Sequence, residues 1–361
     1  MNEIEKISMK EISIRITELI QKAREHVVKT ANTTMVFTYY QIGSIIVEEW
    51  QKGELRAEYG SKLLQSISND LTIKFGKGFS VQNLERMRNF FGLYSNSSKE
   101  LRNSDVFQKS SNVLRISNDN SKETILLPIS WSHYLFLMRI DNELERQFYE
   151  IESHVNQWKL KELERQFNSG LFERLSISKD KAKILQLAKE GQIIEKAVDL
   201  IKDPLVLEFL GLEDKNSYSE TELESAIINE IENFMLELGK GFFFGGRQVR
   251  FSFEEDHFFV DLVFYNRILK CFVLVDLKIG KLAHQDLGQM QMYVNYYDRF
   301  VKDATENPTI GIILSKVKNQ AVVETTLPEG NRQIFASKYQ TILPTKESLQ
   351  ELLNHYETDL E

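Results

Sequence analysis

Two short stretches hold the residues best equipped for chemistry. Val260-Asp261-Leu262-Val263-Phe264-Tyr265 carries a carboxylate inside an apolar run, and Val275-Asp276-Leu277-Lys278 ends the next run on an acid and a lysine. Apolar runs of this length read as buried strands, here separated by a turn region opening on Asn266-Arg267. A buried ionised group costs several kcal/mol unless it is paired or bound to a metal. Three such groups at the ends of neighbouring strands point to a divalent cation with a lysine beside it. Alternate strand residues share a face, which groups Phe259, Asp261, Val263 and Tyr265, and groups Asp276 with Lys278. If the strands are neighbours, Asp261 approaches Asp276 and Lys278. Two carboxylates suit Mg²⁺ or Mn²⁺, hard cations that prefer oxygen, and the Leu277 backbone carbonyl can add a third oxygen. Lys278 can orient or deprotonate a water and steady charge at a phosphate. The set suits phosphodiester hydrolysis.

Two flanking helices extend it. Glu224 falls on the apolar stripe continued by Ile228, Ile231, Met235 and Leu238, an odd place for an acid unless it holds a metal or a water. Glu222, Glu230 and Glu232 fall nearer polar faces and read as solvated. After Lys278, Gln289 and Tyr293 are four apart and share a helix face, where they can hold the scissile strand or the lysine. His284, at the helix entry, receives no role. Taken singly these signals are weak. Asp261 alone reads as a strand-end acid paired with an arginine, and acid-x-Lys strings arise often by chance. Their order along the chain is what gives them weight.

The elements that must position these residues divide the chain in two. Its 361 residues suffice for two domains. Helical spacing runs from the start to about Tyr94: Ile12, Ile16, Leu19 and Ile20 form one stripe, residues 39–46 a second helix, and Leu63, Leu64, Ile67 and Leu71 a third. Gly76 to Phe79 breaks the pattern, and Ser80 is a good N-cap for a helix carrying Leu84, Met87 and Phe91. Residues 95–123, rich in Ser and Asn, read as a flexible insertion. Helical spacing resumes at Trp131, and Pro204 marks a boundary. A helix is predicted over 220–238, strands over 248–253, 257–265 and 269–277, a helix over 285–297, then strands over 309–314 and near 332–337. That is an α-β-β-β-α-β mixed domain. The expected architecture is α+β: an all-helical N-terminal domain over 1–180, a helical linker over 181–212 and the mixed-sheet domain over 213–361.

The N-terminal helices around Gly76 to Phe91 could form a helix-turn-helix-like unit. Gln82, Asn83, Arg86, Arg88 and Asn89 would then face outward, with types that bond phosphates and base edges. An ordinary solvated face explains them equally well. Trp131, His133 and Tyr134 read as core and capping residues, and Arg139, Arg146 and Arg165 as ion-pair partners.

Composition sets the outer limits. Hydrophobic residues make up 42% and charged residues 27%, ordinary values for a soluble globular chain. The single cysteine, Cys271, excludes an internal disulfide framework and Cys-rich zinc sites. No apolar run is long enough to span a membrane, and the first residues lack the layout of a signal peptide, so a cytoplasmic protein is expected. The net charge of −8 argues against non-specific coating of DNA while leaving local basic patches open.

Asp261, Asp276-x-Lys278 and Gln289-x-x-x-Tyr293, after a helix bearing Glu224, resemble the PD-(D/E)XK nuclease superfamily, with the Gln-x-x-x-Tyr element similar to its RecB-like branch. More closely, the chain resembles the YhcG family, whose members are classed as nucleases. In the C-terminal half the matching text is Glu237 to Phe242, Gly246-Arg247-Gln248, Asp261 to Tyr265, Asp276-Leu277-Lys278 and Gly288-Gln289. In the N-terminal half it is Tyr59-Gly60, Phe75 to Ser80, Asn83-Leu84, Met87-Arg88, Ser130 to Tyr134 and Glu162 to Gln166. The resemblance implies a restriction-endonuclease-like C-terminal domain with metal ligands at Asp261 and Asp276 and a catalytic Lys278, beside an uncharacterised helical domain. Val260 stands where the superfamily name has proline, a residue that touches no metal. Asp276 stands where the family more often has Glu, one methylene longer.

The expected function is therefore Mg²⁺- or Mn²⁺-dependent hydrolysis of DNA, in repair, recombination or defence against mobile DNA. Lys278, Asp261, Asp276, Glu224 and Gln289 are the catalytic candidates. Asp261, Asp276, the Leu277 carbonyl and Glu224 are the metal-ligand candidates. Gln289, Tyr293, Arg247, Arg86 and Arg88 are the candidates for holding nucleic acid. A DNA-binding or assembly protein with a silent nuclease fold is the second reading, disfavoured because every core polar position is filled. An RNA-processing nuclease is the third. A homodimer would suit cutting of both strands, and no sequence feature decides it.

Overall fold

No proline and no glycine before Gly43 interrupts the opening helical pattern, and α1 runs unbroken over Glu3–Lys52 where two helices were predicted. The computed structural model describes residues 3–52, 57–96, 116–118, 121–125, 127–176, 181–212, 218–253 and 255–345. Most of the insertion expected over 95–123 lies outside them. The chain divides into two compact units: Met1–Leu163 with Ala188–Gly191, and Glu164–Leu187 with Gln192–Glu361.

In the first unit, α1 is followed by α2 (Ala57–Phe75) and α3 (Val81–Asn96). Gly76, at φ 89°, ends α2 and leads into a short 3₁₀ turn, Lys77–Phe79. The packing face of α1 is its C-terminal half, where Val36, Phe37, Tyr40 and Ile46 are buried. The stripe predicted to pack, Ile12, Ile16, Leu19 and Ile20, is instead 48–70% exposed. Ile46, Leu64, Leu84 and Met87 form the core between the three helices. Gly43 lets α1 and α3 close up, because a methyl there would overlap the Met87 carbonyl. A two-stranded antiparallel hairpin, β1 (Ile116–Asn118) and β2 (Ser121–Ile125), adds strand to the helical unit. It precedes α4 (Trp131–Leu137) and α5 (Glu143–Val155). Asn142 caps α5 by accepting from the Leu144 and Glu145 amides. Tyr134 is fully buried against Phe90, and His133 is held between Ser130 and the Trp158 carbonyl, as core and capping roles require.

Helices α6 (Leu160–Asn168), α7 (Leu171–Ser176) and α8 (Lys181–Glu190) follow. The second unit is built on a six-stranded mixed sheet with strand order β3-β8-β7-β6-β5-β4. Its strands are β3 (Leu205–Val206), β4 (Phe242–Phe253), β5 (Asp256–Asn266), β6 (Cys271–Lys281), β7 (Ile310–Val317) and β8 (Ile334–Gln340). β4, β5 and β6 pair antiparallel; β6, β7, β8 and β3 pair parallel. The predicted helix over 220–238 breaks at Glu230 (φ −113°, ψ 33°) into α9 (Glu220–Asn229) and α10 (Ile231–Leu238). Glu222 is exposed, as expected, and closes a capping box with Ser219 at the start of α9. Leu223, Ile227, Phe234 and Leu238 press these helices onto one sheet face, against Leu262, Phe264, Val273 and Val275. Each such buried side chain contributes about 2 kcal/mol. The opposite face is covered by α11 (His284–Tyr296) through Leu287, Met290 and Val294. α12 (Gln320–Thr326) follows β7.

A buried charge cluster ties the sheet edge to the segment before it. Glu237 is wholly buried, pairs with Arg174 at 2.5 Å and Arg165 at 3.3 Å, and accepts from the Val206 amide at 3.0 Å. Lys202 donates to the Glu237 backbone carbonyl. Among the described residues no helix is long and apolar enough to cross a membrane.

Candidate active site

β5 and β6 pair only as far as Leu262 opposite Val275, one residue short of the two acids. Beyond that point Asp261 replaces the ladder with its side chain: Oδ2 accepts from the Leu277 amide at 2.8 Å. The strands are thus held by a carboxylate where they stop exchanging backbone bonds. Asp276, on β6, is 2% exposed, and its Oδ2 lies 2.9 Å from Lys278 Nζ. Burial, and then the nearby Asp261 charge, push the Asp276 carboxyl up to about 7, with Lys278 opposing. Burial pulls the Lys278 ammonium down, but attraction to Asp276, and further to Glu220 and Asp261, outweighs it and the net direction is upward. Lys278 is therefore a retained cation, suited to steadying charge rather than to acting as a free base.

The third acid arrives through a residue that the motif did not include. Gln248 Nε2 donates to Glu224 Oε2 at 2.7 Å and to Asp261 Oδ1 at 2.9 Å. Its backbone is left-handed, at φ 46°, a costly conformation for a residue with a Cβ. Gln248 lies between the Arg247–Leu262 and Val249–Val260 pairs, and so faces Asp261. Strict alternation fails there. Val260 and Val263 both pack in the α11-side core, while Leu262 and Phe264 pack on the other side. The expectation that Phe259, Asp261, Val263 and Tyr265 share one face is thus corrected, since the pleat slips at Asp261. The available signal was Gly245-Gly246 just upstream, a pair that marks an irregular strand; the register shifts between Phe244 and Gly246.

The remaining candidates separate. Arg247 Nε lies 3.1 Å from Glu224 Oε1 and is half exposed, so it can turn toward a ligand. Gln289 donates to the Tyr293 hydroxyl, which donates to the Phe259 carbonyl at 2.9 Å. Tyr293 is buried and spends its hydroxyl on anchoring β5, which leaves half-buried Gln289 as the surface-facing member of that pair. Glu220, not singled out in the sequence, accepts from the Ile279 amide at 3.4 Å and draws on Lys278. Arg86 and Arg88 lie on α3 of the other unit.

Asp276 Oδ2 and Glu224 Oε1 are buried, and among the described residues each meets one cation, Lys278 and Arg247, and no further donor. Electron-rich oxygens left this way match a hard cation. Among the described residues no three Asp, Glu, His or Cys side chains gather as a metal group. Mg²⁺ commonly takes only one or two carboxylates and completes its shell with water and phosphate. The residues that fit one are Asp261, Asp276 and the Leu277 carbonyl, with Glu224 joined to them by the Gln248 amide.

The sheet and its flanking helices are those of a PD-(D/E)XK-type nuclease domain, which follows a helical unit along the chain. Residues 198–354 match the model of the YhcG PDDEXK nuclease domain, and residues 15–174 match that of the DUF1016 N-terminal domain. The chain is 37% identical over 355 residues to "Putative nuclease YhcG" of Escherichia coli (strain K12), covering 96% of this chain and 94% of that one. The chain belongs to the YhcG family. Among solved structures, a repair endonuclease from Pyrococcus abyssi aligns at a TM-score of 0.25 and 16% identity, over 36% of this chain and about half (51%) of its own; a likeness that slight carries no weight.

Proposed function

We propose that the chain is a divalent-metal-dependent nuclease that hydrolyses phosphodiester bonds of DNA at Asp261, Asp276 and Lys278. The observation that carries the reading is the buried Asp276 carboxylate, destabilised by Asp261 and balanced, among the described residues, by Lys278 alone. A cation held there by both carboxylates and the Leu277 carbonyl would polarise the phosphate and favour hydroxide over water. Lys278 holds its proton and faces the charge that grows on the phosphate oxygens. Gln248 and the Leu277 amide, one on each oxygen of Asp261, hold that carboxylate in a single orientation. Tyr293 fixes the edge of β5, and Gln289 and Arg247 border the approach of the nucleic acid. Mg²⁺ is the expected metal, and the N-terminal unit is the expected docking module.

Calorimetric titration with Mn²⁺ tests the ligand assignment. Asp261→Ala and Asp276→Ala should each weaken binding at least tenfold. Equal affinity in the wild type and both variants would refute it.

A further inference from the structure

The helical unit contains a basic cavity of about 690 Å³ between α1, α3 and α4 and the turn after α4. Arg86, Arg88, Arg139 and Asn89 line it, and Leu93 and Met138 supply apolar wall. Arg86 donates to Asn83 Oδ1 at 3.0 Å, and Arg88 donates to Asn89 Oδ1 and lies 4.6 Å over the Trp50 ring. These partners are uncharged, so they hold the guanidinium groups without neutralising them. Among the described residues, none of the three arginines forms an ion pair, and no carboxylate lines the cavity. Arg139, read from sequence as an ion-pair partner, forms no ion pair among the described residues. By contrast, Arg165 and Arg174 in the other unit are both matched to Glu237.

Three permanent positive charges border a partly apolar hollow in a chain of net charge −8, a setting that favours an anionic occupant. Guanidinium forks match phosphate oxygens two at a time. Leu93 and Met138 offer a non-polar surface for a flat base. Pockets that enclose small ligands fall in this size range, roughly 300–1,000 Å³.

We propose that this cavity binds one nucleoside phosphate unit of a single-stranded nucleic acid, with Arg86, Arg88 and Arg139 on the phosphate and Leu93 and Met138 against the base. The inference rests on the nuclease reading only for its biological sense; the binding itself does not require cleavage. It gives the helical unit a defined task, that of gripping an unpaired stretch of the strand offered to the nuclease domain.

The test uses the full chain without added metal, a fluorescent single-stranded oligonucleotide and anisotropy over a series of salt concentrations. Arg86→Gln with Arg139→Gln should weaken binding at least tenfold and flatten the salt dependence, by roughly 0.7 in log–log slope for each phosphate no longer neutralised. Arg139→Lys, which keeps the charge and loses the fork, should fall between the double variant and the wild type. Free nucleoside monophosphate should compete, and inorganic phosphate should compete less well. Competition by phosphate and nucleotide alike would overturn the base contact. Circular dichroism melts confirm folding of the variants; Arg139 is exposed, so Arg139→Gln alone gives a readout if the double variant misfolds. If the variants bind like the wild type while the wild type cuts DNA, this inference falls and the nuclease reading stands. If binding depends on the arginines and no substrate is ever cut, the nuclease reading falls alone.

Discussion

Glu237 and Asp276 are both carboxylates taken out of water in the same unit, and the protein treats them in opposite ways. For Glu237, burial pushes the carboxyl up, but Arg174, Lys202 and Arg165 together bring it down to about 2. Each of its oxygens has a partner, and the Val206 amide adds another bond. For Asp276, burial and the Asp261 charge win, and the carboxyl rises to about 7 with Lys278 as its one cation among the described residues. A complete set of partners is what a structural ion cluster has. An incomplete set is what a site that a cation would complete should have. The same residue chemistry, buried to the same degree, thus separates architecture from function by whether the charges balance.

The largest expected effect breaks the balanced side. Glu237→Gln leaves the buried Arg174 without the carboxylate it pairs with and should cost about 3–5 kcal/mol in denaturant unfolding. A cost below about 1 kcal/mol would mean that the cluster is not the structural tie it resembles.

The second prediction sets the two sites against each other through pH. The Asp276 carboxyl is raised in the fold from 3.8 to about 7, so its stabilising protonated form is complete below 3.8 and lost as pH rises toward 7. Glu237 is lowered from 4.5 to about 2, so its contribution is present above 4.5 and lost as pH falls toward 2. In metal-free protein, Asp276→Asn should therefore raise the melting temperature at pH 8 and have little effect near pH 4. A stabilisation that does not change with pH would contradict the origin assigned to the shift. Adding Mn²⁺ at pH 8 should stabilise the wild type far more than Asp276→Asn.

The smallest effect sharpens how the open site is held. Gln248→Gly removes the amide that joins Glu224 to Asp261 and relieves a left-handed backbone. Mn²⁺ affinity should fall about tenfold, with no drop in melting temperature. Unchanged affinity would make Gln248 a structural accident.

Much of this contrast was legible in the sequence. Asp261, Asp276 and Lys278 stand out as charges in apolar runs, and the predicted strand over 257–265 matches β5 to within one residue at each end. Glu224 was found because an acid on an apolar helical stripe is costly. What escaped was tertiary. The pleat slips at Asp261, opposite the left-handed Gln248, and period-two reasoning has no term for that. β3 is two residues long, too short to show a pattern, yet it closes the parallel edge of the sheet. α1 reads as an amphipathic helix, but its N-terminal stripe finds no partner among the described residues of its unit. The Glu237 cluster needs partners 31 to 72 residues away in sequence, a pairing that spacing alone cannot reveal.

On the nuclease reading, the unbalanced charges around Asp276 form the active site, with Lys278 as its charge-steadying group. The most direct measurement is cleavage of linear, branched and single-stranded DNA by purified protein with Mg²⁺ or Mn²⁺, for the wild type and Lys278→Ala side by side. The account predicts metal-dependent cutting by the wild type and a loss of about two to four orders of magnitude in rate for Lys278→Ala, with Mn²⁺ binding retained. No cutting of any substrate, with the two proteins behaving alike, would contradict it.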